Sequence, residues 1–97
     1  MTIYFVSRHP GALAWATEEG IIVDRVIDHI DLGAVASGDT VIGSLPVNLA
    51  AEVCARGARY LHLSLALPAG LRGHELDVEQ MRACGARIEE YRIDRLG

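Results

Sequence analysis

The stretch Thr40-Val41-Ile42-Gly43-Ser44-Leu45-Pro46-Val47-Asn48-Leu49-Ala50 decides how this chain folds. Three β-branched residues in a row read as a short buried strand. Gly43 permits a close backbone approach. Leu45-Pro46 ends the strand, and Pro46 suits a first helical turn. Val47 to Arg56 then reads as a helix with Gly57 as its stop. A strand that runs straight into a helix is the start of a crossover, because parallel strands need a helix-length return.

The same pattern repeats upstream. Ile3 to Val6 is a β-branched and aromatic run, broken by Ser7-Arg8-His9-Pro10-Gly11. Leu13 to Glu19 reads as a short helix stopped by Gly20. Arg25-Val26-Ile27 is a second strand, followed by the polar Asp28-His29-Ile30-Asp31. Leu32 to Gly38 reads as a helical turn, and Asp39 leads into the Thr40 strand. Downstream, Ala58 to Leu67 reads as a strand with Tyr60, His62 and Ser64 on one face and Leu61, Leu63 and Leu65 on the other. Leu71 to Glu75 is loop-like, Asp77 caps a helix over Val78 to Cys84, and Arg87 to Ile93 alternates as a last strand. Strands alternating with helices predict an α/β fold: a small three-layer, Rossmann-like domain with a mainly parallel sheet, spanning residues 1–97 as one unit. Ligands of such sheets bind beyond the carboxyl ends of the strands. That rule selects residues 7–11, 28–31 and 43–48, with the strand end near Ser64 as a further candidate.

Composition narrows the function. The chain has 97 residues, 51% of them hydrophobic and 23% charged, which is ordinary globular composition. Nine Lys plus Arg against thirteen Asp plus Glu give a formal charge of −4. That balance argues against sequence-independent binding along a nucleic-acid duplex, which needs a basic face. It leaves room for one small anion in a locally positive pocket. No apolar run approaches the roughly 18 residues that span a membrane. The N-terminus lacks the basic start of a signal peptide, so a reducing cytoplasm is the expected compartment. Two cysteines do not make a disulfide scaffold, and Cys54 and Cys84 read as packing thiols.

Ser7-Arg8-His9-Pro10-Gly11 sits between the first strand and the first helix, where free N–H groups and the helix dipole favour an anion. Arg8 can fork onto a phosphate and Ser7 can donate a hydroxyl. His9 carries an imidazole, a side chain that could move a proton. At the second turn, Ser44 can cap the helix or bind a phosphate oxygen, and Asn48 carries both a donor and an acceptor. The bland readings are a surface turn for the first segment, and an N-cap with an exposed polar residue for the second. Asp28-His29-Ile30-Asp31 lacks a second histidine at ligand spacing, so it reads as a solvated strand end and not a metal site. His62, between leucines, reads as a hydrogen-bonded packing or interface histidine. His74 reads as a loop residue that could act as a lid. There is no Walker loop, no Gly-x-Gly-x-x-Gly, no His-Glu-x-x-His, no Cys-x-x-Cys and no nucleophile elbow, and no cofactor is expected.

Three blocks carry a family resemblance: Tyr4-Phe5-Val6-Ser7-Arg8-His9-Pro10-Gly11, Gly38-Asp39-Thr40-Val41-Ile42-Gly43-Ser44-Leu45-Pro46-Val47-Asn48-Leu49-Ala50, and Gly57-Ala58-Arg59-Tyr60-Leu61-His62-Leu63. They resemble the small CRISPR-associated accessory proteins of the Csx group, the Csx sixteen family, over nearly the whole chain. The first two blocks are the specific part. The resemblance implies a protein encoded beside type III CRISPR systems. It implies a homodimer of Rossmann-like domains related to cyclic-oligoadenylate sensor (CARF) domains. It also implies a ring nuclease that degrades cyclic oligoadenylate, chiefly the four-membered ring. On that reading Arg8 and His9 are the expected catalytic pair, and Ser7, Gly11, Gly43, Ser44 and Asn48 the expected ligand-binding residues. The alternatives are a sensor or sponge that holds cyclic oligoadenylate without cutting it, and a protein-interaction subunit with no nucleotide site.

Overall fold

In the computed structural model, which describes residues 1–97, β3 (Thr40–Gly43) is buried at every position. A strand buried on both faces has a neighbour on each side and a helix layer above and below. β1 (Ile3–Val6) pairs with it in parallel, Phe5 opposite Ile42 and Val6 opposite Gly43. β2 (Arg25–Ile27) lies outside β1, also parallel. β4 (Arg59–Ser64) flanks β3 on the other side, and β5 (Arg87–Tyr91) closes the sheet. The strand order is β2-β1-β3-β4-β5.

The helices fall on opposite faces. α1 (Pro10–Glu18) and α3 (Val78–Ala83) cover one face, where Phe5, Trp15, Ala16, Ile42, Leu63 and Met81 are buried together. α2 (Val47–Ala55) covers the other, where its Val53 is buried with Tyr4, Val41 and Tyr60. Burying side chains of this size contributes about 1.5–3 kcal/mol each. These two cores and the sheet between them are the three layers that the alternating pattern predicts. No helix is long and apolar enough to cross a membrane.

β5 departs from the parallel rule. It runs antiparallel to β4, Tyr60 opposite Tyr91 and Ser64 opposite Arg87. The cause is the connection before it. α3 has six residues, about 9 Å of helix, and Ala66 N–H donates to the Cys84 carbonyl at 2.8 Å. The chain therefore returns to the end of the sheet it had just left, and the next strand runs back the other way. β4 and β5 are also shorter than the hydrophobic runs that contain them, ending at Ser64 and Tyr91. α1 begins earlier than expected, at Pro10, because a proline in the first turn loses no internal hydrogen bond. Asp77 does cap α3: its carboxylate accepts Gln80 N–H at 2.8 Å, and the Gln80 side chain accepts Asp77 N–H at 3.0 Å.

One buried carboxylate ties the amino ends of the sheet together. Asp39 is 5% exposed and accepts the N–H of Thr2 and of Ala36, each at 2.9 Å. Those two bonds hold its carboxyl below the usual carboxylate range.

Candidate functional site

α1 leads from β1 towards one edge of the sheet and α2 leads from β3 towards the other, on opposite faces. Between the carboxyl ends of β1 and β3 the two connections diverge and leave a crevice. This is the topological switch point, where ligands of open α/β sheets bind. A cleft of about 930 Å³ opens there. Ser7, Arg8 and His9 line it from the β1–α1 turn, and Gly43, Ser44, Leu45 and Pro46 from the β3–α2 turn. Asp28 and His29 reach it from the end of β2, and Gly73, His74 and Glu75 from the loop between β4 and α3. Leu63, Leu65, Leu67 and Met81 add apolar wall.

Both turns end in helix starts without side-chain caps. His9 is the N-cap of α1 and Pro46 that of α2, and neither side chain bonds the first-turn N–H groups. Such ends favour negative charge. Ser44 is not the cap, because its hydroxyl donates to the Leu63 carbonyl at 2.8 Å. Ser7 shapes its own turn, its hydroxyl oxygen accepting His9 N–H at 3.1 Å. Arg8 is exposed and makes no ion pair or hydrogen bond within the protein, so its guanidinium faces solvent with all donors available.

Two expected ligand residues lie elsewhere. Asn48 is exposed and outside the cleft lining. Gly11 also lies outside it: a Cβ there would stand 1.7 Å from the Leu76 carbonyl oxygen, so this glycine lets the α3 approach loop seat on α1. Gly43 borders the cleft, and its missing side chain also admits β1, since a Cβ would lie 2.9 Å from the Val6 carbonyl oxygen.

The expectation of a locally positive pocket needs correction. With histidines neutral, Arg8 stands against Asp28 and Glu75, leaving a fixed charge of −1 on the lining. Three histidines, His9, His29 and His74, share the lining, and their protonation would reverse that sign. No three His, Cys, Asp or Glu side chains converge to hold a metal ion.

Two residues that the sequence reading left without a role belong to the site. Glu75 places its Oε1 3.2 Å from Nδ1 of His9. Tyr60, 1% exposed, lies under the β3–α2 turn, with its hydroxyl bonded to Leu45 N–H and close to the Gly43 carbonyl. His62 sits behind it, Nδ1 2.5 Å from the Tyr60 hydroxyl and its ring edge-on to Tyr91, as a packing histidine outside the cleft. Cys84 is buried, and half-buried Cys54 accepts Ile93 N–H through its sulfur at 3.5 Å.

A family model described as "Putative CRISPR-associated protein (Cas_VVA1548)" matches residues 4–94, a span that includes every helix, every strand but for Ile3 of β1, and both cleft turns. The chain belongs to this CRISPR-associated family. No curated protein and no solved structure matches it. This CRISPR-associated chain thus carries a cleft at the switch point of an α/β sheet.

Proposed function

We propose that this CRISPR-associated protein is a ring nuclease that opens cyclic oligoadenylate, the four-membered ring first among its substrates, without a metal. The observation that carries the reading is the meeting of Arg8 and His9 with the β3–α2 turn in one cleft at the β1–β3 switch point. Arg8 holds a phosphate. The substrate brings its own nucleophile, a ribose 2′-hydroxyl beside each scissile phosphate. O2′ attacks phosphorus, the P–O5′ bond breaks, His9 takes the 2′-proton, and O5′ gains a proton from water. Alignment of this kind lowers a barrier by up to ~7–11 kcal/mol. Such a ring is two-fold symmetric, and a two-fold homodimer offers it two copies of every group.

The charge balance of the cleft favours cutting over mere holding. A sponge for a four-phosphate ring is served by fixed cations, and this lining has one against two carboxylates. Its three histidines suit proton transfer better than storage. The test is incubation with labelled cyclic tetra-adenylate followed by chromatography. Linear products are expected. Retention without cleavage would make the protein a sponge, and no retention would remove the nucleotide site altogether.

A further inference from the structure

Glu75 and His9 are 66 residues apart in sequence, yet the loop before α3 brings Oε1 to within 3.2 Å of Nδ1. The loop is held on the far side of the contact. Leu76 is seated against Gly11 with no room for a Cβ between them. Asp77 and Gln80 then lock the start of α3 through their reciprocal bonds. Glu75 is thus presented to His9 from a fixed anchor. Both side chains are 66% exposed, and exposed pairs of this kind add little to stability. The consequence of the contact lies in the imidazole. A neutral ring carries one proton, and a nitrogen facing a carboxylate is the one that keeps it. The other nitrogen, Nε2, is then the free acceptor.

We propose that Glu75 is a positioning residue: it accepts the Nδ1 proton of His9 and holds the imidazole in the tautomer whose Nε2 receives the 2′-hydroxyl proton. The proposal rests on the reading of His9 as the proton acceptor in ring opening. As the O2′–P bond forms and P–O5′ breaks, the proton passes from O2′ to Nε2, and solvent later removes it. Glu75 gains no proton and touches no substrate.

Two measurements test this separately. The first is nitrogen NMR of the full-length protein with labelled histidine, at a pH where the ring is neutral. Wild-type His9 is expected as the Nδ1–H form and Glu75→Ala as a mixture in which Nε2–H predominates. An Nε2–H form in the wild type, or no change on substitution, overturns the proposal. The second is turnover of cyclic tetra-adenylate. Glu75→Ala is expected to lower kcat ~10–100-fold with KM little changed, the range found when the outer partner of a metal-bound imidazole is lost. Glu75→Gln should recover part of the rate, because its amide oxygen still accepts the Nδ1 proton. Equal loss in both variants, or a loss confined to KM, counts against it. If the wild-type protein cleaves no ring, the reaction reading falls, and the NMR measurement alone decides the pairing.

Discussion

The phenol oxygen of Tyr60 accepts the backbone N–H of Leu45 at 2.9 Å, so a core residue of β4 fixes the turn from β3 into α2. The same hydroxyl is 3.2 Å from the Gly43 carbonyl and 2.5 Å from Nδ1 of His62. It has one proton to give, and the His62 tautomer decides which acceptor receives it. Burial pushes the phenol up from its ordinary value, which keeps that proton in place. Tyr60→Phe removes the acceptor from a Leu45 N–H that has no other protein partner. Loss of about 1–3 kcal/mol is expected in urea unfolding, and an unchanged midpoint would mean that water replaces the phenol.

The strands and layers were legible because their signals are local. Ile3–Val6 and Thr40–Gly43 are β-branched runs, each followed by a turn and a helix. The direction of β5 was not, since it depends on the Ala66–Cys84 hydrogen bond across the whole connection. Ser7, Arg8 and His9 could be placed near Gly43 and Ser44 by the strand-end rule alone. Glu75 could not, because nothing near it in sequence says that its loop folds back on α1. Gly11 shows the converse. It looks like a phosphate-turn glycine, and its packing partner, Leu76, is invisible until the chain is folded.

Ser44 tests that distinction between fold and ligand. Its proton is committed to the Leu63 carbonyl, which links the β3–α2 turn to β4. Ser44→Ala is therefore expected to cost about 0.5–1.5 kcal/mol of stability and to change the affinity for cyclic tetra-adenylate less than about threefold, under 1 kcal/mol. Calorimetric titration beside urea unfolding measures both. A large loss of affinity with unchanged stability would return Ser44 to the ligand.

Arg8 has the opposite profile. It is exposed and unpaired in the protein, so its removal leaves no orphaned partner. Arg8→Ala is expected to leave the unfolding midpoint unchanged and to weaken both binding and turnover. The lost bond to a charged group is worth ~1.5–3 kcal/mol, or roughly 10–150-fold. Wild-type binding in this variant would assign Arg8 to the solvated surface.

Asp39 contributes to the acid sensitivity of the fold. Its carboxyl lies below the usual range through the Ala36 and Thr2 N–H groups. A carboxyl lowered in the folded state contributes stability above its unfolded value, about 3.9. That stability is lost as pH falls through the folded value. The melting temperature of the wild-type protein should thus fall as the pH drops below about 4. Asp39→Asn should melt lower at pH 7 and show a shallower acid decline. Parallel curves for the two proteins would place the acid-sensitive group elsewhere.

The proposed chemistry stands or falls on the 2′-hydroxyl and on His9. His9→Ala is expected to cut turnover by roughly 10²–10⁴-fold, the ordinary size of a general acid–base contribution. Binding should be nearly intact, because Arg8 remains. Equal losses in binding and turnover would make His9 a ligand contact instead. The nucleophile itself is tested from the substrate side. A ring built from 2′-deoxyribose keeps every phosphate for Arg8 and removes the attacking oxygen, so it should bind and resist cutting. The natural ring should give linear products ending in a 2′,3′-cyclic phosphate and a 5′-hydroxyl, because the bond that forms joins O2′ to the phosphorus already held by O3′. A metal takes no part in that exchange, so the rate should be the same in EDTA. Cleavage of the deoxy ring at the normal rate, or loss of activity in EDTA, would require an activated water in place of O2′. Asp28 and His29, which reach the same cleft from β2, would then be the first residues to replace.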